Sequence, residues 1–258
     1  VGWDGFGIVV QAYQKRAPYV LDWIIDLARQ GGRRIPVRLV KGAYWDSEIK
    51  RAQVDGHPDY PVFTRKPNTD VSYLANARRL LEAADLVYPM FATHNAHTIA
   101  AVHRMGTRLL GTRAGGHPFE FQKLHGMGDD LYDEVIPADR LGVPCRVYAP
   151  VGSHEDLLPY LVRRLLENGA NSSFVALAAD NRVSIVDLLR RPAEIIGADD
   201  NAAYSGIPLP ADLYRPQREN SHGIEFGERK ALDALTSAIT VEPKAASGAV
   251  AASTNEQA

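Results

Sequence analysis

The feature that most constrains the fold of this chain is an alternation of apolar runs with amphipathic segments over residues 1 to about 175. The runs are rich in β-branched residues, and apolar residues recur at helical spacing in the segments between them. Because the runs are continuously apolar, they are typical of strands covered on both faces, as in a parallel sheet. The alternation therefore predicts βα units and an α/β fold. The predicted strands lie at residues 7–13, 34–44, 88–95, 119–127 and 145–152.

Helical periodicity fills the gaps between these runs, at residues 20–28, 74–84, 99–105 and 157–166. Ser153 to Asp156 resembles a capping box at the start of the last helix. Beyond Val175 the pattern decays. Residues 184–195 and 226–239 could each hold a short helix, whereas the prolines within residues 201–221 predict an extended connector. Residues 241–258 are rich in Ala and Ser, contain no aromatic residue, and are predicted to be disordered.

The composition excludes several classes of protein. The 29 Lys and Arg residues nearly balance the 31 Asp and Glu residues, for a net charge of −2, so the segment lacks the basic footprint of a nucleic-acid-binding protein. No apolar run approaches the ~18 residues of a spanning helix, and no secretory signal pattern is present. The single cysteine, Cys145, opens a predicted strand and is expected to be a buried structural thiol. We therefore expect a cytoplasmic protein.

Polar side chains gather where the predicted strands end. In a parallel sheet, ligands bind at the carboxyl ends of the strands, so these residues predict a common site. They are cations and neutral hydrogen-bonding groups without a carboxylate, which argues against paired-carboxylate glycosidase chemistry and favours a large anionic ligand such as a phosphorylated cofactor. Neither a G-x-G-x-x-G motif nor a P-loop is present. The strand-end residues are Gln11, Arg38, Lys41, Thr93, His94, Asn95, Gln122, Lys123, His125 and Tyr148.

Two further groups of residues leave alternatives open. Arg163, Arg164 and Glu167 could form a surface ion-pair face of the last helix, or the arginines could grip a carboxylate in bidentate fashion. A metal-dependent barrel hydrolase is a second possibility, although two of its candidate ligands, His97 and His103, fall inside a predicted helix. Its other candidates are His94, His125, Asp129 and Asp130.

Long stretches of the sequence closely resemble the proline dehydrogenase domain of bacterial bifunctional proline utilization A. The stretches are residues 38–53 (RLVKGAYWDSEIKRAQ), 63–81, 91–97 (FATHNAH), 120–132 and 146–175. Residues 207–226 resemble the connector that follows that domain. The resemblance covers roughly residues 1–240.

The resemblance implies a (β/α)8 TIM-like barrel, of which this chain would hold about strands 4 to 8, with the three preceding strands expected upstream of Val1. It implies noncovalent FAD, which oxidises L-proline to 1-pyrroline-5-carboxylate by hydride transfer to flavin N5, with a quinone as electron acceptor. The parent enzyme would associate peripherally with the inner membrane and carry an aldehyde dehydrogenase domain. The implied division of the chain is barrel at 1–176, connector at 177–240 and tail at 241–258. The alternative is an inactive fragment or interaction module of that enzyme, because unpaired sheet edges favour pairing with another chain.

The resemblance also assigns roles to individual residues, and no residue is assigned to a metal. Catalytic roles fall on Arg38 and Tyr148. The residues implied to bind substrate are Arg163 and Arg164, on the proline carboxylate, with Tyr44, Tyr148 and Leu124 around the ring. The residues implied to bind the cofactor are Gln11, Arg38, Val40, Lys41, Gly42, Ala43, Trp45, Thr64, Arg65, Lys66, Thr93, His94, Asn95, Gln122, Leu124, Glu167, Ser173 and Phe174.

The sequence departs from the pattern of the family in two places. A lysine and an aspartate that the family takes from earlier strands have no counterpart in this chain. Pro159 lies inside the last predicted helix, about one turn before Arg163, where it removes a backbone donor and can kink the helix. The sequence therefore leaves open whether the side chains of the two arginines point into the site.

Overall fold

The computed structural model describes residues 5–111, 117–169, 174, 177, 180–197 and 202–239. Within these residues five strands form one parallel sheet in the order β1-β2-β3-β4-β5. The strands are β1 (Ile8–Gln11), β2 (Ile35–Val40), β3 (Val87–Ala92), β4 (Glu120–Leu124) and β5 (Cys145–Tyr148). All five predicted strands are confirmed. Each ends before its predicted run does, because the run also included residues of the following loop, and β3 begins one residue earlier than predicted.

The longer helices are α1 (Ala17–Gly31), α2 (Trp45–Val54), α3 (Lys66–Glu82), α4 (Ala96–Leu110) and α6 (His154–Gly169). The shorter ones are α5 (Asp129–Asp133), α7 (Ile185–Leu188), α8 (Pro192–Ile196) and α9 (Arg229–Ile239). The predicted helices are confirmed, and α6 has the predicted cap, in which the Ser153 hydroxyl accepts a hydrogen bond from the Asp156 backbone N–H (3.3 Å). Helices α2 and α5 were not predicted. Helix α2 buries only Ile49 and Ala52, so its apolar stripe is too short to show in the sequence.

The two faces of the sheet have different chemistry. Successive side chains of a strand point to opposite faces, so Val37 and Leu39 of β2 enter the core while Arg38 lies on the other face. The core is formed between the sheet and the helices α1, α3 and α4, with fully buried Leu21, Tyr73 and Leu80 among its members. Its aromatic centre is a cluster of Phe91, Phe119 and Phe121, with ring centroids 5.7–6.3 Å apart. The opposite face of the sheet is therefore left for polar residues.

Residues 202–228 are irregular apart from a 3-10 turn at Pro210–Asp212, as their prolines predicted, and the connector packs against α2 and α3. The Tyr60 hydroxyl donates a hydrogen bond to the Pro208 carbonyl (2.7 Å), and the Asn220 side-chain amide donates one to the Gln53 carbonyl (2.9 Å). The two segments approach so closely that a Cβ on Gly56, whose φ is +62°, would lie 2.0 Å from the Ser221 carbonyl oxygen. The predicted disordered tail, residues 241–258, lies outside the described residues. Among the helices of the described residues, none has the length and apolar character needed to cross a membrane.

Candidate functional site

A cleft of about 1010 Å³ opens at the carboxyl ends of the strands, on the polar face of the sheet. Its walls come from the ends of β1, β2, β3 and β5, from the loops that follow them, and from α6. The structure therefore brings most of the predicted site together. The predicted residues that line the cleft are Gln11, Arg38, Val40, Lys41, Gly42, Ala43, Tyr44, Trp45, Thr64, Lys66, Thr93, His94, Asn95, Tyr148, Arg163, Arg164 and Phe174.

The side chains of Arg38 and Tyr148 are in contact across the cleft, and this contact shows that the sheet is curved. Arg38 lies on β2 and Tyr148 on β5, which are three strand spacings apart, or roughly 14 Å along a flat sheet. The guanidinium carbon of Arg38 nevertheless lies 4.4 Å from the centroid of the Tyr148 ring. The sheet is therefore rolled about its polar face, as in a barrel. The Nε atom of Arg38 is buried and has no hydrogen-bond partner among the described residues. Unsatisfied buried donors are rare and are often found at functional sites.

Helix α6 crosses the mouth of the cleft and carries the two arginines. The guanidinium carbon of Arg163 lies 4.5 Å from the ring centroid of Tyr44, which follows β2, and that of Arg164 lies 5.4 Å from the ring centroid of Tyr160. Helix α6 runs through Pro159, and both arginines line the cleft beyond it. The Nε atom of Arg163 is also buried without a hydrogen-bond partner among the described residues. The arginines thus face the cleft, where a carboxylate or phosphate can reach them.

Two lysines and one carboxylate form a linked group at one end of the cleft. Asp70 accepts a hydrogen bond from Lys41 Nζ at 2.5 Å and another from Lys66 Nζ at 2.7 Å. Burial raises the pKa of Asp70, but the charges of Lys41 and Lys66 outweigh it and hold this pKa below its usual value. Burial also lowers the pKa of Lys41, against the opposing charge of Asp70. The group carries a net charge of about +1, which suits an anionic ligand.

Two helix N-termini point toward the same end of the cleft. Helix α3 begins at Lys66, directly after Thr64 and Arg65, and α4 begins after Asn95. The Asn95 side chain caps α4 by accepting a hydrogen bond from the Thr98 backbone N–H at 2.9 Å. Free N–H groups in the first turn of a helix favour bound anions. With the lysines, these elements make an environment suited to phosphate groups.

His94 is held as a neutral hydrogen-bond acceptor. Its Nε2 atom accepts a hydrogen bond from the Leu124 backbone N–H at 3.1 Å, so this nitrogen has no proton and Nδ1 carries it. Burial, with the charges of Arg164 and Lys123, lowers the pKa of His94 to about 4. Because the lone pair of Nε2 is engaged, this atom is poorly placed to bind a metal. In the part of the chain that the structure describes, His, Cys, Asp and Glu residues form no group of three or more that could hold a metal ion.

Three described residues with an implied cofactor role do not line the cleft, and neither do the predicted strand-end residues Lys123 and His125. The Gln122 side-chain amide is buried and donates a hydrogen bond to Glu120 (2.8 Å), which also forms a two-bond ion pair with Arg146. Leu124 is buried beside Tyr148, its partner in the β4–β5 register. The Arg65 guanidinium donates hydrogen bonds to the carbonyls of α8 residues Ile195 and Ile196, each at 3.4 Å. The Glu167 side chain and Ser173 lie outside the described residues.

Several residues were not predicted that line the cleft or, like Asp70, bind the side chains of residues that line it. Asp70 lies one helical turn after Lys66, and this i,i+4 spacing was the signal that could have revealed it. Tyr13 supports the backbone at Gly42, where φ is +149° and a Cβ would lie 2.4 Å from the Tyr13 ring. Only a glycine fits that approach. The other unpredicted lining residues are Val9, Phe63, Thr69, Ala92, Met127, Ala149, Pro150 and Tyr160.

Comparison with known proteins identifies the relatives of this chain. A sequence profile of the family described as "Proline dehydrogenase" matches residues 1–177. "Bifunctional protein PutA" of Klebsiella aerogenes is 53% identical over 247 residues, and that of Rhizobium meliloti is 55% identical over 240 residues, each match covering 92% of this chain. A solved structure of proline utilization A from Bradyrhizobium japonicum is 57% identical over 92% of this chain, with a TM-score of 0.83.

The shares of these relatives that the chain covers are small. It spans 18% of the Klebsiella protein, 19% of the Rhizobium protein and 24% of the solved Bradyrhizobium chain. The parallel sheet with its outer helices matches part of that solved structure, so the predicted α/β class and TIM-like barrel architecture are confirmed.

Proposed function

The chain belongs to the proline dehydrogenase family, and from this premise we propose that it forms the main part of the active site of an FAD-dependent proline dehydrogenase. The reaction is the oxidation of L-proline to 1-pyrroline-5-carboxylate. The observation that carries the proposal is the pair of buried Nε donors of Arg38 and Arg163, both without a hydrogen-bond partner among the described residues. They line a single cleft, on the sheet and on α6 respectively.

The residues of the cleft fit FAD. A dinucleotide of this kind combines a flat heterocycle with a pyrophosphate. One group of residues in the cleft suits the heterocycle, and another suits the pyrophosphate. Arg38, Gln11 and Tyr148 offer a guanidinium, an amide and an aromatic wall from β2, β1 and β5. Thr64, Lys66 and the N-terminus of α3 offer hydroxyl, ammonium and backbone donors for phosphate. Bound flavin would supply the two-electron acceptor that this chain lacks.

The residues of α6 fit the substrate. Arg163 and Arg164 can bind the proline carboxylate by paired N–H donors, and Tyr44 and Tyr148, which line the cleft, can enclose the ring. Leu124 is the neighbour of Tyr148 in the sheet and would act on the ring only through it. Removing a hydride from carbon needs no protein nucleophile, only a substrate held in one orientation with water excluded. Helix α6 is proposed to contribute to both requirements, because Tyr160, Arg163 and Arg164 line the cleft. Glu167, one turn after Arg163 in α6, is proposed to orient the arginine or to contact the cofactor.

The wider setting of the reaction is also part of this proposal. We infer a quinone as electron acceptor, peripheral association of the parent enzyme with the inner membrane, and an aldehyde dehydrogenase domain in the parent chain. Support comes from the high identity to relatives described as bifunctional. We further propose that residues 1–176 belong to the barrel, that residues 177–240 connect it to the following domain, and that residues 241–258 form a tail.

The test is to purify the 258-residue chain with added FAD and to measure flavin absorbance and L-proline-dependent reduction of a dye. Bound flavin with turnover supports the proposal and excludes the inactive-fragment alternative. Flavin binding without turnover supports the cofactor site and assigns catalysis to a longer chain. Failure to bind flavin overturns the proposal for this chain. Stoichiometric zinc or manganese without flavin would instead support the metal-dependent hydrolase.

A further inference from the structure

The connector makes hydrogen bonds to the segment that carries Thr64 and Lys66, at the phosphate end of the cleft. The Tyr204 backbone N–H donates to the Thr64 hydroxyl oxygen at 2.9 Å. The Asn68 side-chain amide donates to the Ala202 carbonyl at 2.5 Å. The Arg65 guanidinium donates to the carbonyls of Ile195 and Ile196 at the end of α8. These contacts join residues that are more than 120 positions apart in sequence.

The backbone at Arg65 explains why the segment can face the cleft and the connector at once. Arg65 has an extended conformation, with φ −112° and ψ 130°, at the start of α3. In extended backbone, neighbouring side chains point in opposite directions. Thr64 and Lys66 therefore line the cleft, while Arg65 turns to the carbonyl end of α8, where a positive charge is favoured.

The contact with Tyr204 also fixes what the Thr64 hydroxyl can do. A hydroxyl that accepts a hydrogen bond still has its own proton to donate. Accepting from Tyr204 directs one lone pair of Thr64 away from the cleft and polarises the O–H group, which makes it a better donor. A phosphate oxygen has lone pairs only and needs such a donor.

We infer that four residues of the connector are positioning residues for the cofactor, which hold Thr64 to Lys66 in the arrangement that binds its phosphates: Ile195, Ile196, Ala202 and Tyr204. This inference rests on the proposed function, since it names an additional part of the same site. The family resemblance implies that Arg65 contacts the cofactor directly. In this inference Arg65 instead acts on the cofactor site through the connector. Residues of the connector would thereby influence FAD affinity without touching proline.

The test uses two variants that break these contacts and two matched controls. Tyr204→Pro removes the donor N–H, and its control Tyr204→Ala keeps the N–H while losing the ring. Asn68→Ala removes the bond to Ala202. Its control Asn220→Ala removes an equivalent amide-to-carbonyl bond between the connector and α2, far along the chain from Thr64. None of these side chains lines the cleft.

We expect Tyr204→Pro and Asn68→Ala each to weaken FAD binding about 3- to 10-fold, the loss of one hydrogen bond, with both controls within about 2-fold of the parent. The KM for L-proline at saturating FAD should not change. Without any flavin, amide hydrogen exchange of residues 64–70 should be faster in the two variants and unchanged in the controls.

The outcomes separate this inference from the proposed function. Equal FAD affinity and equal exchange in all four variants would overturn the inference while leaving the enzyme proposal intact. A chain that binds no flavin would overturn the proposed function, and the exchange measurement would then decide alone whether the connector holds this segment.

Discussion

The guanidinium of Arg38 covers the ring of Tyr148, so that one side chain from β2 and one from β5 form a continuous wall of the cleft. A cation over an aromatic face is attracted by the quadrupole of the ring, by about 0.5 to 2 kcal/mol depending on desolvation. The contact fixes two side chains that would otherwise sample several rotamers. On the proposed function, we expect this contact to preorganise the two side chains for the substrate.

We expect Tyr148→Leu to lower kcat/KM for L-proline about 5- to 30-fold, because the energy of the cation–aromatic contact is lost. Tyr148→Phe keeps the ring and should stay within about 2-fold of the parent. Steady-state kinetics with a dye acceptor check both values. If the two variants are equally impaired, the hydroxyl rather than the ring is the essential group.

Replacing Arg164 by Lys keeps the charge but loses the planar pair of donors that matches a carboxylate. We expect the KM for L-proline to rise about 10-fold with a smaller change in kcat, since the lost interaction is made to bound substrate. The control is Arg78→Lys, which alters an exposed ion pair with Glu82 on α3. An unchanged KM in the Arg164 variant would contradict the carboxylate role.

The close approach of Gly42 to Tyr13 predicts that Gly42→Ala is strongly destabilising, by about 2 kcal/mol or more. The new methyl group would lie 2.4 Å from the Tyr13 ring, at a φ of +149° that other residues rarely adopt. The matched control is Gly31→Ala, at the end of α1, where a Cβ meets no atom within 4 Å. Urea unfolding of both variants measures the difference, and equal stabilities would refute the prediction.

Asp70→Asn should destabilise the fold by about 2–3 kcal/mol at neutral pH, because it leaves Lys41 and Lys66 without their shared carboxylate. The expected loss of stability is smaller than for a fully buried ion pair, since the Lys41 side chain is still 23% exposed to solvent. The pKa of Asp70 is lowered in the folded protein, so its contribution exists above its usual pKa and disappears as the pH falls below it. In acid titrations, the difference between parent and variant should therefore shrink below about pH 4.

The lowered pKa of His94 predicts a loss of stability in mild acid. The folded chain holds the imidazole neutral down to a pKa of about 4, while the unfolded chain takes up a proton near 6.5. Between these values the unfolded state binds more protons, so the free energy of unfolding falls as the pH is lowered, by at most about 1.4 kcal/mol per pH unit. His94→Gln, which retains an acceptor for the Leu124 N–H, should show a flatter pH dependence in urea unfolding.

The fold could be predicted from the sequence wherever one helix or strand buries a continuous apolar surface. The strands around Val37 and Phe91 gave continuous apolar runs, and α1 gave a periodic apolar stripe, because each enters the common core. Helix α2 gave none, since Ile49 and Ala52 bury too little surface to produce a pattern. The strand ends Gln11, Arg38 and Thr93 indicated the position of the cleft, because parallel strands bring their carboxyl ends together.

The remaining features of the site depend on contacts between distant parts of the chain. The ring of Tyr13 packs directly against the backbone of Gly42. No spacing of residues in the sequence indicates that these two positions come so close together. The orientation of Arg65 toward Ile195 and Ile196 depends on where the connector folds back, more than 120 residues later. The residue types at these positions were visible in the sequence, but their partners were not.

The hydrogen bond from Tyr204 to Thr64 also bears on how the chain can be divided for expression. The family profile ends at residue 177, and the last barrel helix ends at Gly169. A chain shortened to that boundary would retain every strand of the sheet described here, yet it would lose the backbone donor that fixes the Thr64 hydroxyl. The smallest piece that folds and the smallest piece that retains full affinity for its cofactor would then differ by the length of the connector.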